Sequence, residues 1–205
     1  MFNKPMPITI VSGLPRSGTS MMMKMLEAGG LPLLIDNSRI PDEDNPAGYY
    51  EFEPVKKLDQ GNFDWLADAQ GKALKVIAAL LTHLPSADTY QIIFMRRDMS
   101  EILASQRKML LNRGEDPNKI DDEEMAHLFE RHLFNVISWI DHQPNMRQID
   151  INYNQLLEDP RPQAEQINRF LGNNLDIEGM LQVINPGLYR QRSRLVSVTP
   201  KSDVE

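Results

Sequence analysis

The sequence predicts an α/β protein of three layers, in which a doubly wound and mostly parallel sheet lies between helices. Short apolar runs alternate along the chain with longer segments of helical spacing, and the run Tyr90–Met95 is continuously apolar, as in a parallel strand buried on both faces. Near the start, a predicted strand, a polar loop with two glycines and a helix follow one another, which is the layout of a P-loop-like phosphate-binding turn. We therefore expect ligands at the carboxyl ends of the strands.

The phosphate-binding turn departs from the Walker A pattern at one position. Its segments are a strand with Ile8, Ile10 and Val11, a loop at Gly13–Gly18 and an apolar helical run at Met21–Leu26. The first N–H groups of such a helix lack backbone partners and its dipole is positive there, so an oxyanion is stabilised. Gly13 and Gly18 have Walker A spacing, but Thr19 replaces the lysine of that motif and the cation is Arg16 instead. Hydrolysis of a nucleoside triphosphate is therefore less expected, although Thr19 and Ser20 remain hydroxyl donors for phosphate or sulfate.

Length and composition predict one ordinary domain covering residues 1–205. Hydrophobic residues make up 41% of the chain and charged residues 25%, as in soluble globular proteins. No apolar run reaches the roughly 18 residues of a membrane span, and the first ten residues lack the apolar core of a signal peptide. These features predict a cytoplasmic protein without a membrane span.

Charge and residue usage exclude several classes of site. The chain contains no cysteine, so disulfides and thiolate metal sites are excluded. Its net charge of −7 opposes general nucleic-acid binding, so that local basic sites must bind any anion. The four histidines show no metal-binding spacing, and we expect no metal site.

The remaining elements follow in order, with turn-forming residues between them. The first half is predicted to contain a second strand at Leu31–Ile35, a long surface loop at Asp36–Tyr50, helical pieces at Glu51–Asp59 and Phe63–Ala69, a strand beginning at Ala73–Val76 and a helix to His83. The second half is predicted to contain helices at Met99–Leu111 and Asp121–Asp141, a strand at Gln148–Tyr153, a helix from Asp159-Pro160 to Gly172 and an irregular tail from Asn185. Asp98 and Asp121 are the predicted N-caps of the two long helices.

A second anion site is predicted where the strand Tyr90–Met95 passes into the next helix. Arg97 and Ser105 are eight positions apart, about two helical turns, so both side chains can lie on one side of that helix. A phosphate could be held between them.

Three segments of the chain resemble the sulfotransferases. Gly13–Ser20 (GLPRSGTS) looks like their phosphosulfate-binding loop, and the segment IFMRRDMSEILAS is similar to the one whose arginine and serine, here Arg97 and Ser105, bind the 3′-phosphate of the nucleotide. The third segment, Ile151–Gly172, looks like the family's tyrosine-containing strand end, its Leu-Leu-x-Asp-Pro sequence and its Phe-Leu-Gly helix. The resemblance thus spreads from Ile8 to Gly172.

The resemblance implies transfer of a sulfuryl group from 3′-phosphoadenosine 5′-phosphosulfate to a hydroxyl or amine acceptor, without a metal. The donor-binding residues that it implies are Arg16, Ser17, Gly18, Thr19, Ser20, Arg97 and Ser105, and Arg16 would also stabilise developing charge on the phosphate oxygens. Lys75 stands in a region where the family often has a lysine near the sulfate, although the usual Asp-Pro that follows is Val76-Ile77 here.

Other positions depart from the cytosolic members of the family. Met21 replaces a common tryptophan, and the tail lacks the motif that closes on the nucleotide, for which Arg190, Arg192 and Arg194 could substitute. The chain resembles the bacterial and tyrosylprotein-type members more closely.

Transfer also needs a general base to accept the proton of the acceptor. Asp36 is the first candidate because it ends the predicted second strand, near where tyrosylprotein-type members carry a glutamate. Glu51 is the second, after a turn that also occurs in bacterial members, and His83 is the third. The acceptor itself stays open among sugars, lipids, peptides and small alcohols.

Two other functions are compatible with the sequence. A small-molecule or nucleoside kinase with a divergent P-loop would need Mg²⁺ and a carboxylate after a buried strand, where Asp98 is the candidate. A non-catalytic nucleotide-binding protein would keep the pocket without the base.

Overall fold

The computed structural model describes residues 5–36 and 48–184. Within these residues the sheet has four strands in the spatial order β2-β1-β3-β4, and all three strand pairs are parallel. The strands are β1 (Ile8–Gly13), β2 (Ala73–Lys75), β3 (Tyr90–Arg96) and β4 (Met146–Asn152). The predicted parallel α/β fold is confirmed.

The described helices connect and cover these strands. The α-helices are α1 (Thr19–Ala28), α2 (Leu66–Ala69), α3 (Met99–Asn112), α4 (Asp122–Asp141), α5 (Tyr153–Glu158), α6 (Pro160–Leu171) and α7 (Ile177–Gln182). Two 3₁₀ helices, Glu53–Gln60 and Ala78–His83, occupy the connections on either side of β2. None of these helices combines the length and apolarity needed to cross a bilayer.

Alternate residues of the strands face two separate apolar cores, which gives the predicted three layers. Ile10 and Ile92 belong to the core on the side of α4, whereas Val11 and Ile93 belong to the core that contains residues of α1, α6 and α7. A strand directs successive side chains to opposite faces. The continuous apolar run in β3 therefore fills both cores.

The chain leaves the two central strands toward opposite faces of the sheet. From β1 it enters α1 on one face, and after β3 it reaches α4 on the other. The carboxyl ends of β1 and β3 are level, because Gly13 pairs with Met95. Ligands of open α/β sheets bind at the strand ends where the chain diverges in this way, so the ends of β1 and β3 are the candidate position for a ligand.

The predicted second strand at Leu31–Ile35 is wrong. This segment makes a single parallel bridge, between Leu33 and Ala73, with one hydrogen bond on each side of it. Pro32 has no N–H to donate and β2 has only three residues, so the pairing does not extend into a strand.

Two short helices were not predicted, and two predicted segments fall outside the part of the chain that the structure describes. Helix α5 begins directly at the end of β4, and α7 packs with Met180 against Gly29 at the end of α1. Residues 37–47 of the predicted surface loop lie outside the described residues. So does the tail from Asn185, which includes the arginines at positions 190, 192 and 194.

Candidate functional site

The loop between β1 and α1 depends on two glycines. Gly13 has a φ of +148°, and a Cβ there would lie 2.6 Å from the Ser17 Oγ and 2.8 Å from the Met95 carbonyl oxygen. Gly18, the N-cap of α1, has a φ of +96°, and its Cβ would lie 2.3 Å from the ring of Tyr153. Both positions combine a backbone conformation that favours glycine with no room for a side chain. The loop is therefore a tight turn closed by neighbouring elements.

Arg16 lies inside this turn in the left-handed conformation, with a φ of +70°. Residues other than glycine seldom adopt it, and such positions cluster at functional sites because the surrounding contacts must hold them there. In this protein two of these contacts come from α3 and from the residue before its N-cap. The Arg16 Nε donates to the Ser105 Oγ at 2.8 Å, and the Arg16 carbonyl oxygen accepts from the Arg97 Nη1 at 2.8 Å.

These contacts bring the two predicted anion sites together. Arg16 follows β1, whereas Arg97 and Ser105 follow β3, so the residues meet only because β1 and β3 are neighbouring strands. Ser105 is 7% exposed. Its hydroxyl accepts from Arg16, which leaves its own proton for another acceptor such as a phosphate oxygen.

Ser17 contributes a buried hydroxyl to the same turn. Its residue is fully buried, and its Oγ has no hydrogen-bond partner among the described residues. A buried hydroxyl without a partner costs about 1–3 kcal/mol, so such groups are rare unless they serve a ligand or a water. The Ser17 hydroxyl is therefore a buried group of the turn that no described residue satisfies.

Ser20 in the first turn of α1 connects the loop to β2. The Lys75 Nζ, at the end of β2, donates to the Ser20 Oγ at 3.0 Å and also to the Tyr49 carbonyl oxygen. Thr19 and Ser20 are both partly exposed at the start of the helix. The structure thus places half-buried Lys75, a second cation, beside the glycine loop.

Arg97 is held by a carboxylate and an aromatic ring as well as by the loop. Its Nε donates to Glu101 at 3.0 Å, and its guanidinium carbon lies 4.6 Å from the centroid of the Tyr153 ring. Burial raises the pKa of the Tyr153 hydroxyl, the positive charge of Arg97 opposes this shift, and the negative charge of Glu101 adds to it. Tyr153 is therefore neutral at physiological pH, and its ring face is available to the cation.

The backbones of the two candidate bases are hydrogen-bonded to each other, beside the segment that contacts Ser20. The Asp36 N–H donates to the Glu51 carbonyl oxygen at 3.2 Å, and Glu51 is two residues from Tyr49. The Asp36 carboxylate accepts from the Glu53 N–H at 2.6 Å, at the start of the first 3₁₀ helix. The Glu51 carboxylate is 3.6 Å from the Lys56 Nζ.

The third candidate base and the kinase candidate are both exposed. His83 ends the second 3₁₀ helix, and Asp98 is the N-cap of α3 but accepts no hydrogen bond there through its side chain. Among the described residues, no group of three or more histidines, aspartates or glutamates could hold a metal ion.

Three contacts of the site were not predicted from the sequence. Glu101 was assigned no role, although its position four residues after Arg97 is the spacing of a helical ion pair. The hydrogen bond between Arg16 and Ser105 and the one between Lys75 and Ser20 join distant segments. No local sequence signal indicates either.

Comparison with known proteins gives a family match. The model of the sulfotransferase family matches residues 46–176, which is more than half of the chain and includes Arg97, Ser105 and Tyr153 but not the glycine loop. Comparison with curated proteins gives no significant match.

Similar folds occur among solved structures. The sulfotransferase domain from the curacin biosynthetic pathway has a TM-score of 0.53 and 17% identity, over 89% of this chain and 79% of that one. The sulfotransferase domain of the Synechococcus PCC 7002 olefin synthase has a TM-score of 0.53 and 17% identity, over 89% of this chain and 78% of that one. A sulfotransferase from Mycobacterium tuberculosis H37Rv has a TM-score of 0.59 and 14% identity, over 88% of this chain and 71% of that one. At these identities the likeness concerns the fold.

Proposed function

Because this chain belongs to the sulfotransferase family, we propose that it transfers a sulfuryl group from 3′-phosphoadenosine 5′-phosphosulfate to a hydroxyl or amine acceptor. The observation that carries the proposal is the junction of the two anion sites, in which Arg16 of the glycine loop contacts Ser105 and accepts a hydrogen bond from Arg97. A donor with phosphate groups at two positions of one ribose needs two such sites side by side.

The residues at the glycine loop fit the phosphosulfate end of this donor. The buried Ser17 hydroxyl has no partner among the described residues, and both loop glycines lack room for a Cβ. Arg16 and the N–H groups at the start of α1 supply positive charge and donors for an oxyanion. We therefore assign this end of the donor to Arg16 and to Ser17, Gly18, Thr19 and Ser20.

Arg97 and Ser105 fit the 3′-phosphate. Arginine supplies several N–H donors in one plane, which matches the oxygens of a phosphate, and the Ser105 proton adds another donor. When bound, the donor would supply the sulfuryl group. The protein would align the groups and stabilise charge that develops on the leaving phosphate, for which Arg16 and Lys75 are the nearest candidates.

Asp36 and Glu51 are the proposed general bases. Each lies beside the segment that contacts Ser20 in the first turn of α1, next to the proposed phosphosulfate site. The Asp36 carboxylate already accepts a short hydrogen bond from the Glu53 N–H, whereas the Lys56 ammonium lies 3.6 Å from Glu51. Both carboxylates are thus engaged by a donor or a cation, and the activities of the two variants decide between them.

Calorimetric titration with adenosine 3′,5′-bisphosphate, compared with ATP plus magnesium, tests the donor site. We expect the bisphosphate to bind and the Arg16→Ala and Arg97→Ala variants each to weaken it by about tenfold or more, because each loses charge-assisted hydrogen bonds. Lys24→Ala removes a cation of α1 outside the glycine loop and should leave the affinity unchanged. Tight binding of ATP with magnesium and none of the bisphosphate would favour the kinase and overturn the proposal.

A sulfate-transfer assay over hydroxyl and amine acceptors tests the reaction and the base. The variant that removes the base, Asp36→Asn or Glu51→Gln, should lower kcat while the bisphosphate affinity is retained, and the other variant should affect kcat less. Full activity in Glu51→Gln together with a loss in Asp36→Asn would assign the base to Asp36. Bisphosphate binding without transfer to any acceptor class would instead indicate a non-catalytic protein.

A further inference from the structure

Glu101 is a buried carboxylate at the edge of the candidate site, and the proposed reaction gives it no role. The residue is 2% exposed. Its Oε2 accepts from the Arg97 Nε at 3.0 Å, and the side chains of Glu101 and Arg97 are 1% and 9% exposed. Glutamate is seldom buried to this extent unless it is paired.

Stability alone gives little reason for this ion pair. Removing two charges from water is unfavourable, and replacing a buried ion pair by apolar residues is often neutral or stabilising. What such a pair can provide is a fixed orientation for each partner. In this site the oriented partner is Arg97, a candidate phosphate-binding residue.

The Arg97 guanidinium is constrained in three directions. Glu101 accepts from its Nε, the Tyr153 ring lies against its face at 4.6 Å, and its Nη1 donates to the Arg16 carbonyl oxygen. Because the guanidinium is planar, fixing Nε and one face also fixes the direction of both terminal nitrogens. Without Glu101 the guanidinium would lose the contact that fixes its Nε.

The spacing along the chain connects this pair to the other half of the site. Glu101 is four residues after Arg97, and Ser105 is four residues after Glu101, so Glu101 and Ser105 lie on one face of α3. Ser105 in turn accepts from the Arg16 side chain, whose own carbonyl accepts from Arg97. The polar contacts therefore run from Glu101 through Arg97 and Arg16 to Ser105, and α3 joins the two ends of this chain.

We propose that Glu101 is a positioning residue, which holds the Arg97 guanidinium in the orientation that binds the 3′-phosphate of the nucleotide donor. The inference rests on the proposed function, and it predicts a specific loss. Glu101 should matter for ligands that carry a 3′-phosphate and not for ligands that lack one.

The test compares two probes, adenosine 3′,5′-bisphosphate and adenosine 5′-phosphate, by calorimetry. The ratio of their affinities measures the contribution of the 3′-phosphate. In Glu101→Ala we expect this ratio to fall by about tenfold or more, as for other residues that orient a ligand-binding group, with the affinity for adenosine 5′-phosphate unchanged. Glu101→Gln keeps an oxygen that can accept from the Arg97 Nε, so it should retain the ratio within about threefold of wild type.

Matched controls separate this role from general damage. Glu165→Ala removes the glutamate of another four-residue ion pair, with Arg169 on the exposed side of α6, and should change neither affinity. If Glu101→Ala does not fold, Glu101→Met keeps the length of the side chain without an acceptor and should show the same loss. In an Arg97→Ala background, removing Glu101 should not lower the ratio further.

The outcomes separate a failure of the positioning role of Glu101 from a failure of the proposed donor site. An unchanged ratio in folded Glu101→Ala, an equal loss for both probes, or a tighter bisphosphate complex would overturn the positioning role. A loss in Glu101→Gln as large as in Glu101→Ala would overturn it too. A wild-type protein that does not distinguish the two probes would instead refute the assignment of the 3′-phosphate to Arg97 and Ser105.

Discussion

Single side chains in this site are held by contacts from distant parts of the chain. Arg16 adopts an unfavourable backbone conformation and is tied to α3 through its side chain and through its carbonyl oxygen. The sequence predicted Arg16, Arg97 and Ser105 as anion-binding residues, and the structure brings them together. Their binding of a nucleotide stays a proposal.

Gly18 gives a direct test of how closely the loop is packed. Replacement by alanine imposes a left-handed φ on a residue with a Cβ and places that Cβ 2.3 Å from the Tyr153 ring. We expect Gly18→Ala to lower the free energy of unfolding by more than about 2 kcal/mol and to abolish bisphosphate binding, measured by urea unfolding and calorimetry.

Gly30→Ala is the matched control for this substitution. Gly30 has a similar φ of +88°, but nothing lies within 4 Å of its Cβ position. We expect a loss of about 1–2 kcal/mol from backbone strain alone and an unchanged affinity. Equal effects of the two substitutions would contradict the view that Tyr153 closes the loop over Gly18.

Helices and strands were predicted best where local signals were strong. Helix α4 was predicted at Asp121–Asp141 and found at Asp122–Asp141, because its apolar stripe is long and its N-cap is distinct. Helix α5 was missed because Tyr153 continues an alternating strand pattern, although the Asn152 side chain caps the helix by accepting from the Gln155 N–H. The strand predicted at Leu31–Ile35 is wrong because its neighbour β2 has only three residues, so the pairing ends after a single bridge.

The N-caps of the two long helices should differ in their effect on stability. The Asp121 side chain accepts from the Glu124 N–H at 2.7 Å, whereas Asp98 makes no such contact through its side chain. We expect Asp121→Ala to lower the free energy of unfolding by about 1 kcal/mol and Asp98→Ala by less than about 0.5 kcal/mol. Urea unfolding of both variants measures the difference, and a larger effect at Asp98 would refute this assignment of the caps.

The molecule as a whole is organised by a sheet that carries a separate apolar core on each face. Tyr90, the first residue of β3, is 1% exposed. Its hydroxyl donates to the Pro85 carbonyl oxygen at 3.0 Å, which ties the sheet to the segment before β3. Burial raises the pKa of this hydroxyl above its ordinary value, and the charge of Asp88 adds to the shift.

This shift predicts a loss of stability in alkali. A raised pKa means that the folded state holds the proton more tightly, so the contribution to stability is complete below about pH 10, the value for an unfolded tyrosine, and decreases as the pH rises above it. We expect the free energy of unfolding to fall as the pH rises above about 10, and to fall less in Tyr90→Phe. That variant should also lose about 1 kcal/mol at pH 7 with its hydrogen bond. Parallel alkaline profiles for the two proteins would rule out Tyr90 as the cause.

The sequence by itself determined the α/β class, the glycine loop and the family, because each depends on residues close together in the chain. Strand periodicity, the two glycines around Arg16 and the spacing of Arg97 and Ser105 are all visible without coordinates. Only the tertiary structure decided that β1 and β3 are neighbours, and hence that Arg16 reaches Ser105, that Lys75 reaches Ser20 and that Glu101 is buried against Arg97. The physical reason is that strand order and burial result from packing between segments far apart in sequence, which no local pattern encodes.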